Sequence, residues 1–320
     1  MEKWLTADCG LRGFSLQPAS EDASFRRYFR LADAHGGTRI VMDAPPEKED
    51  CAPFVDVARR LRDAGVHAPE VLEQDLEQGF LLLEDLGGQD YLGALNEDSV
   101  ERLYGDALAA LMSMQACIDP AGLPDYDREL LLTEMSLFRD WLLGTHLGLT
   151  LDRGEEQMLA ETFDLLAEAA LEQPRVFVHR DYHSRNLMTG LAHAPGVLDF
   201  QDAVRGPVTY DAVSLLRDCY VSWPQQQVDE WAWGFFQLAV QSGVMREEQE
   251  KDFLRWFDLM GAQRHLKAAG IFARLNHRDG KPGYLKDIPR TLGYIVQVAQ
   301  RQQELAPLAD FISRRVLPRL

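Results

Sequence analysis

Between His179 and Phe200 the chain reads His179-Arg180-Asp181-Tyr182-His183-Ser184-Arg185-Asn186 and then, after a spacer, Val197-Leu198-Asp199-Phe200. An Asp, an Asn five residues on, and a second Asp closing an apolar run make up a donor set for moving a phosphoryl group, a reaction that is almost entirely alignment and charge neutralisation. Asp181 can accept the proton of an attacking hydroxyl. Asn186 and Asp199 offer amide and carboxylate oxygens to Mg²⁺, which takes oxygen ligands and fills the rest of its shell with water and phosphate. Taken singly, either Asp reads as a turn or cap residue; together and in this order they point to chemistry. A zinc site on His179, Asp181 and His183 has no further Cys/His cluster to complete its ligand set. His179 reads as a brace for the loop.

Rigid elements must hold these side chains. Val176-Phe177-Val178 and Gly196-Val197-Leu198 read as short buried strands on either side of the loop. Upstream, Ser24 to Leu31 and Thr38 to Asp43 flank Gly36-Gly37 as a hairpin. Phe54, Val57, Ala58 and Leu61 recur at helical spacing between Asp50 and Gly65. Strands follow around Val71-Leu72 and Phe80 to Leu83, and Gly87-Gly88 marks a break. Beyond it, amphipathic stretches near 99–117, 127–147, 154–172, 209–221, 225–242, 247–275 and 287–303 read as helices. The resulting expectation is an α+β chain, with a β-rich nucleotide-binding part over 1–86 and a mostly helical catalytic and substrate-binding part over 87–320.

The chain has 320 residues, 46% of them hydrophobic, enough for a substantial core. Cys9, Cys51, Cys117 and Cys219 are scattered without a C-x-x-C pair, which predicts reduced thiols. No basic segment followed by an apolar one opens the sequence, and no run reaches the length of a membrane span, so the expectation is a cytoplasmic protein with no membrane partner. A net charge of −18 repels a polyanion, which argues against nucleic acid as partner. No obligate protein partner is inferred.

With these elements in place, the chain resembles the aminoglycoside phosphotransferase and choline kinase superfamily, most specifically between His179 and Asp211. No long activation segment follows Asp199; Gly206-Pro207 and Tyr210-Asp211 come soon after, as in that group. The resemblance implies a protein-kinase-like two-lobe fold, with a small β-rich N-lobe and a large mostly helical C-lobe, and ATP and Mg²⁺ as cofactors. It also implies that Asp211 binds backbone amides of the catalytic loop. Four stretches are similar to a narrower group, the bacterial anomeric kinases of N-acetylmuramate and N-acetylglucosamine. They are Asp22-Ala23-Ser24-Phe25-Arg26-Arg27-Tyr28-Phe29-Arg30, Val41-Met42-Asp43-Ala44-Pro45-Pro46, Leu198-Asp199-Phe200-Gln201-Asp202-Ala203, and Asn276-His277-Arg278-Asp279-Gly280-Lys281. This resemblance implies ATP-dependent formation of a sugar 1-phosphate in peptidoglycan recycling, on the way to a UDP-sugar. Aminoglycoside, choline or homoserine as acceptor, and a kinase-like binding protein without catalysis, are the alternatives.

Three departures stand beside the resemblance. The stretch that should be a glycine-rich phosphate loop has no glycine, so Ser24, Phe25 and a cation at Arg26 or Arg27 are expected to do its work. Asp43 stands where a strand lysine would be, and Gln201 where D-F-G has its glycine. Glu84 and Leu86, after an apolar strand, can offer backbone groups to adenine. Between Gln263 and Arg290 there are seven Lys/Arg against two Asp, which suits an anionic ligand better than a cationic antibiotic. Candidate sugar contacts are His183, Asp202 and Arg205 beside the catalytic loop, with Asn276 and Arg278 in a polar loop, Arg278 first for gripping a carboxylate.

Overall fold

In the computed structural model, the described residues are 1–21 and 25–320. The elements are, in chain order, α1 (Glu2–Ala7), β1 (Ser15–Glu21), β2 (Arg27–Ala32), β3 (Thr38–Asp43), α2 (Ala52–Asp63), β4 (Val71–Asp75), β5 (Phe80–Glu84), α3 (Tyr91–Ala94) and α4 (Val100–Cys117). There follow α5 (Arg128–Leu137), a π-helical stretch (Phe138–His146), α6 (Arg153–Leu171), β6 (Arg175–Val178), β7 (Leu187–Met188), β8 (Gly196–Val197) and β9 (Val204–Pro207). Then come α7 (Tyr210–Leu216), α8 (Gln225–Gln241), α9 (Glu250–Asp279), α10 (Ile288–Val298) and α11 (Ala306–Phe311), with short 3₁₀ turns among them, and a second π-helical stretch (Ile312–Val316) and a 3₁₀ turn (Leu317–Arg319) after α11. Two compact units divide it: 1–107 with 185–202, and 108–184 with 203–320.

The first unit is built on a five-stranded antiparallel sheet in the order β1-β2-β3-β5-β4. β3 and β5 lie inside it, and β5 is accordingly a near-continuous apolar run, Phe80-Leu81-Leu82-Leu83-Glu84. The β2–β3 turn is set by Asp33, whose Oδ1 accepts from the amides of His35 at 2.8 Å and Gly37 at 2.9 Å, while Gly36 takes a left-handed φ of 83°. β1 carries few apolar residues and a proline, so its pattern does not announce a strand. It is tolerated because it is an edge, with a bulge between Pro18 and Ser20. α2 buries Phe54, Val57, Ala58 and Leu61 and stops at Gly65, which adopts φ 77°.

The second unit is organised around α9, which packs against α5, α6, α7, α10 and the π-helical stretch. Gly270 makes this possible: a Cβ there would sit 2.3 to 2.5 Å from backbone atoms of Leu137 and Phe138, where α5 passes into the π-helix. The stretch near 127–147 is an α-helix that widens into a π-helix halfway along. α9 extends four residues past Leu275 and is closed by left-handed Gly280 at φ 65°. Asn276 and Arg278 accordingly stand in a last helical turn, which corrects the expected loop. The helix expected over 209–221 stops at Leu216, because Arg217 leaves helical geometry with its side chain fully buried against Asp258 at 2.7 Å. All four cysteines are free thiols. No helix among the described residues is long and apolar enough to cross a membrane.

His265, buried on α9, stacks on Tyr294 with ring centroids 4.7 Å apart and donates from Nε2 to the Arg217 carbonyl at 2.9 Å. Its Nδ1 is buried without a partner. Burial, reinforced by Arg264, pulls its pKa down to about 3. The folded value lies below the unfolded one, so the stability this neutral ring contributes is complete above about pH 6.5 and is lost as pH falls from there towards 3. Denaturant titrations should show wild type losing about 2 kcal/mol more between pH 7.5 and 5.0 than His265→Phe does. Parallel pH profiles would show that the ring titrates freely in the folded protein.

Candidate active site

In the second unit, β6 delivers the chain into the loop His179 to Ser184, and four side chains hold that loop. Asp211, in the first turn of α7, accepts from the amides of His179 at 2.6 Å and Arg180 at 3.0 Å. His179 Nδ1 accepts from the Asp181 amide at 3.2 Å. Asp218 accepts from the Ser184 amide at 2.9 Å and from its hydroxyl at 2.5 Å. Glu134 on α5 receives the Arg180 guanidinium at 2.5 Å. Arg180 itself sits at φ 76°, a left-handed conformation that a non-glycine residue keeps only when its surroundings impose it.

Glu134 is the centre of a buried polar cluster. Besides Arg180 it binds Lys267 Nζ at 3.1 Å, accepts from Gln263 Nε2 at 3.3 Å and takes the Tyr126 hydroxyl. Lys267 also donates to the Tyr210 hydroxyl at 3.0 Å. Burial alone would neutralise Glu134, but Lys267, Arg180 and Tyr126 hold its pKa below the ordinary value. Asp181 follows the same logic: burial opposes its charge, and Lys267, then His183, Arg180 and His179, outweigh it and keep the carboxylate ionised. The Asp211 carboxyl, by contrast, is pushed by burial up to about 7 against the pull of its two amide donors.

In the first unit, β7 and β8 form a two-stranded ribbon with Leu187 opposite Val197 and Met188 opposite Gly196. The Leu198 amide donates to the Asn186 carbonyl at 2.9 Å, extending the pairing by one step. That register brings Asn186 and Asp199 face to face, with Asn186 Nδ2 3.2 Å from Asp199 Oδ2. Gln201 donates to the other oxygen, Oδ1, at 2.8 Å. Asp199 holds φ 62°, the second left-handed non-glycine residue among those described. One carboxylate and one carboxamide oxygen on a paired ribbon suit a hard cation that takes its remaining ligands from phosphate and water, as Mg²⁺ does. No group of three or more His, Cys, Asp or Glu among the described residues forms an all-protein metal cage.

The same unit carries the expected nucleotide elements. Glu84, at the end of β5, binds His67 Nε2 at 2.9 Å and accepts from Arg62 at 3.3 Å. The His67 carbonyl in turn accepts from the Val197 amide at 2.8 Å, tying the end of β5 to the Asn186–Asp199 ribbon. Leu86 packs where Gly196 has no side chain; a Cβ there would come within 2.9 Å of Leu86. Phe200 lies against Phe54 of α2, ring centroids 4.8 Å apart. Arg26 is mostly buried and paired with Glu49 at 2.9 Å, and Glu49 also accepts from the Phe25 amide at 3.1 Å. Lys48 lies over the exposed Phe25 ring at 4.2 Å. Arg27 stands opposite Asp43 in register and pairs with it while remaining 63% exposed. Ser24 lies outside the described residues.

The expected sugar contacts differ in their surroundings. His183 is half-buried, edge-on to Tyr220 at 5.4 Å. Arg205 on β9 is bound through two nitrogens to Asp125, at 2.7 and 3.1 Å, and Asp125 also takes Arg175. Arg278 is half-exposed and locked to Asp279 at 2.9 and 3.0 Å. Asp202 is exposed and Asn276 half-buried. Sequence reasoning missed Glu134 and Asp218, and treated Lys267 only as part of a basic segment. The signal for Glu134 was present: it falls on the stripe Leu131, Met135 and Phe138 that α5 buries, where a lone carboxylate demands a counter-charge.

A profile of the phosphotransferase enzyme family matches residues 15–257. The N-acetylmuramate/N-acetylglucosamine kinase of Pseudomonas aeruginosa is 52% identical over 301 residues, 93% of this chain and 88% of that protein. The kinase of the same name from Pseudomonas putida is 50% identical over 299 residues, with the same coverage. Among solved structures, an ethanolamine kinase of Plasmodium vivax superposes with a TM-score of 0.66 at 12% identity, over 91% of this chain and 85% of that one.

Glu134 balances two buried cations, so Glu134→Gln should leave Arg180 and Lys267 short of charge and cost about 3–5 kcal/mol in denaturant unfolding, the range for breaking a buried pair. A loss under about 1 kcal/mol would mean that the cluster is hydrated and contributes little.

Proposed function

This chain belongs to the phosphotransferase enzyme family, and we propose that it transfers the γ-phosphoryl group of ATP to the anomeric hydroxyl of N-acetylmuramate and N-acetylglucosamine, giving the sugar 1-phosphate. That it is an ATP-dependent kinase follows from the family and from the kinases it resembles along nearly its whole length. The observation that carries the acceptor is the naming of those relatives for these two sugars. The reaction fits a cytoplasmic step of cell-wall recycling, in which a sugar 1-phosphate is the form that a nucleotidyl transfer towards UDP-N-acetylmuramate consumes.

Chemistry at Asp181 favours the anomeric position. A carboxylate whose pKa is held low is a weak base and suits a hydroxyl that is itself more acidic than an ordinary alcohol. Asp181 orients the hydroxyl and takes its proton late, as the sugar oxygen bonds to the γ-phosphorus and the bond from that phosphorus to the β,γ-bridging oxygen breaks, with ADP leaving. Asn186 and Asp199 would hold Mg²⁺, whose charge offsets that on the phosphate oxygens. In place of a strand lysine, Arg27 offers the more exposed guanidinium of the first hairpin, while Arg26 is committed to Glu49.

An ATP-consumption screen over N-acetylmuramate, N-acetylglucosamine, choline, homoserine and kanamycin tests the acceptor class. Turnover confined to the two sugars is expected; turnover confined to any of the others would overturn it. Asp181→Asn should lower kcat by about 10²–10⁴ and keep nucleotide affinity, whereas Asp199→Ala should also weaken Mg·ATP binding. Wild-type turnover in Asp181→Asn would remove Asp181 from the base role. Arg27→Ala should raise the KM for ATP more than Arg26→Ala; equal and negligible changes would exclude both as the phosphate cation.

A further inference from the structure

Basic residues of α9 divide by what they touch. Arg264 is buried with a nitrogen 3.4 Å from the Cys219 sulfur, Lys267 is paired with Glu134, and Arg278 with Asp279. Arg274 differs: it makes no hydrogen bond or ion pair among the described residues, and its Nε is shielded from solvent without a partner. The side chain is half-buried. Burial, with Arg278 adding to it, disfavours its charge, and the opposing charge of Asp279 belongs to a carboxylate that Arg278 already grips with both oxygens. A half-buried guanidinium lacking its counter-ion is costly in the empty protein and is relieved by a carboxylate that its fork can bind with two parallel hydrogen bonds.

Its place on the helix gives this cation a role. Arg274 follows Lys267 by seven residues, two turns on the same face of α9, about 10.5 Å along the axis at 1.5 Å per residue. Lys267 is the strongest of the charges that keep Asp181 ionised. Helical side chains lean towards the N-terminus, so Arg274 reaches back in the direction of Lys267. A run of rings also joins the catalytic loop to α9: His183 to Tyr220 at 5.4 Å, Tyr220 to Phe272 at 6.0 Å, and Phe272 to Tyr284, stacked at 5.6 Å. In N-acetylmuramate the lactyl carboxylate stands roughly 5–6 Å from the anomeric oxygen, a few bonds of about 1.5 Å. An acceptor with its reacting hydroxyl at Asp181 would extend its acid group along α9 in the direction of Arg274.

We infer that the Arg274 guanidinium receives the carboxylate of the lactyl group and sets the preference for N-acetylmuramate over N-acetylglucosamine, in place of Arg278. The assignment rests on the acceptor class proposed above. It makes Arg274 a specificity residue that binds substrate and takes no part in the proton or phosphoryl transfer.

The test is the ratio of kcat/KM for N-acetylmuramate to that for N-acetylglucosamine in wild type, Arg274→Gln and Arg274→Lys. Loss of a charge-assisted fork should lower the ratio about ten- to a hundredfold in Arg274→Gln, through KM for N-acetylmuramate, with partial recovery in Arg274→Lys. Turnover of N-acetylglucosamine reports in the same samples that the variants are folded. A ratio within about twofold of wild type, or equal losses on both sugars, overturns the assignment and leaves the acceptor class standing. A wild-type protein inert towards both sugars overturns the acceptor class, and this assignment falls with it.

Discussion

A single buried carboxylate, Glu134, carries the charge balance on which the catalytic loop depends. Two cations, Arg180 from the loop and Lys267 from α9, meet on it inside the second unit, where neither charge is tolerable alone. The consequences reach Asp181, since Lys267 and Arg180 are both among the charges that keep it ionised despite burial. On the proposed reading, Asp181 is a half-buried base, charged and held on a strained loop, organised before any substrate arrives, which is where electrostatic catalysis draws its strength.

The motif is divided between two pieces of chain with different architecture. Its proposed base, Asp181, belongs to a loop braced through Asp211, Asp218 and Glu134. Its oxygen pair, Asn186 and Asp199, belongs to a short β-ribbon whose register alone puts the two side chains together. Left-handed backbone occurs at one non-glycine residue in each piece, Arg180 and Asp199, and is held there by their neighbours. Gln201 occupies a position where glycine is usual in kinases, and its amide steadies the carboxylate that a metal would use.

Features with a local signature were legible in the sequence. The β2–β3 hairpin announced itself by its glycines, α2 by its 3.6-residue periodicity, β5 by its apolar run, and the pairing of Asn186 with Asp199 by spacing. Long-range pairings were not. Whether Arg278 or Arg274 has an unmet charge depends on which arginine Asp279 turns to, and whether Arg26 or Arg27 faces outward depends on Glu49 and Asp43, sixteen or more residues away. The π-helical widening after α5 occurs where α9 passes close at Gly270, a juxtaposition that no local pattern encodes. Asn276 and Arg278 looked like loop residues because their stretch is polar and ends in glycine; that glycine is the cap of a helix which includes them.

On the proposed reading, the weak, ionised base at Asp181 is matched to an acidic hydroxyl, and among the hydroxyls of an N-acetylated amino sugar only the anomeric one has that character. The position of the new phosphate is therefore the most direct measurement: phosphorus–proton correlation NMR on the product formed from N-acetylglucosamine and ATP. Coupling of the phosphorus to the C1 proton is the predicted result. Coupling to the C6 protons would contradict it, and would mean that the low pKa of Asp181 does not select the acceptor oxygen.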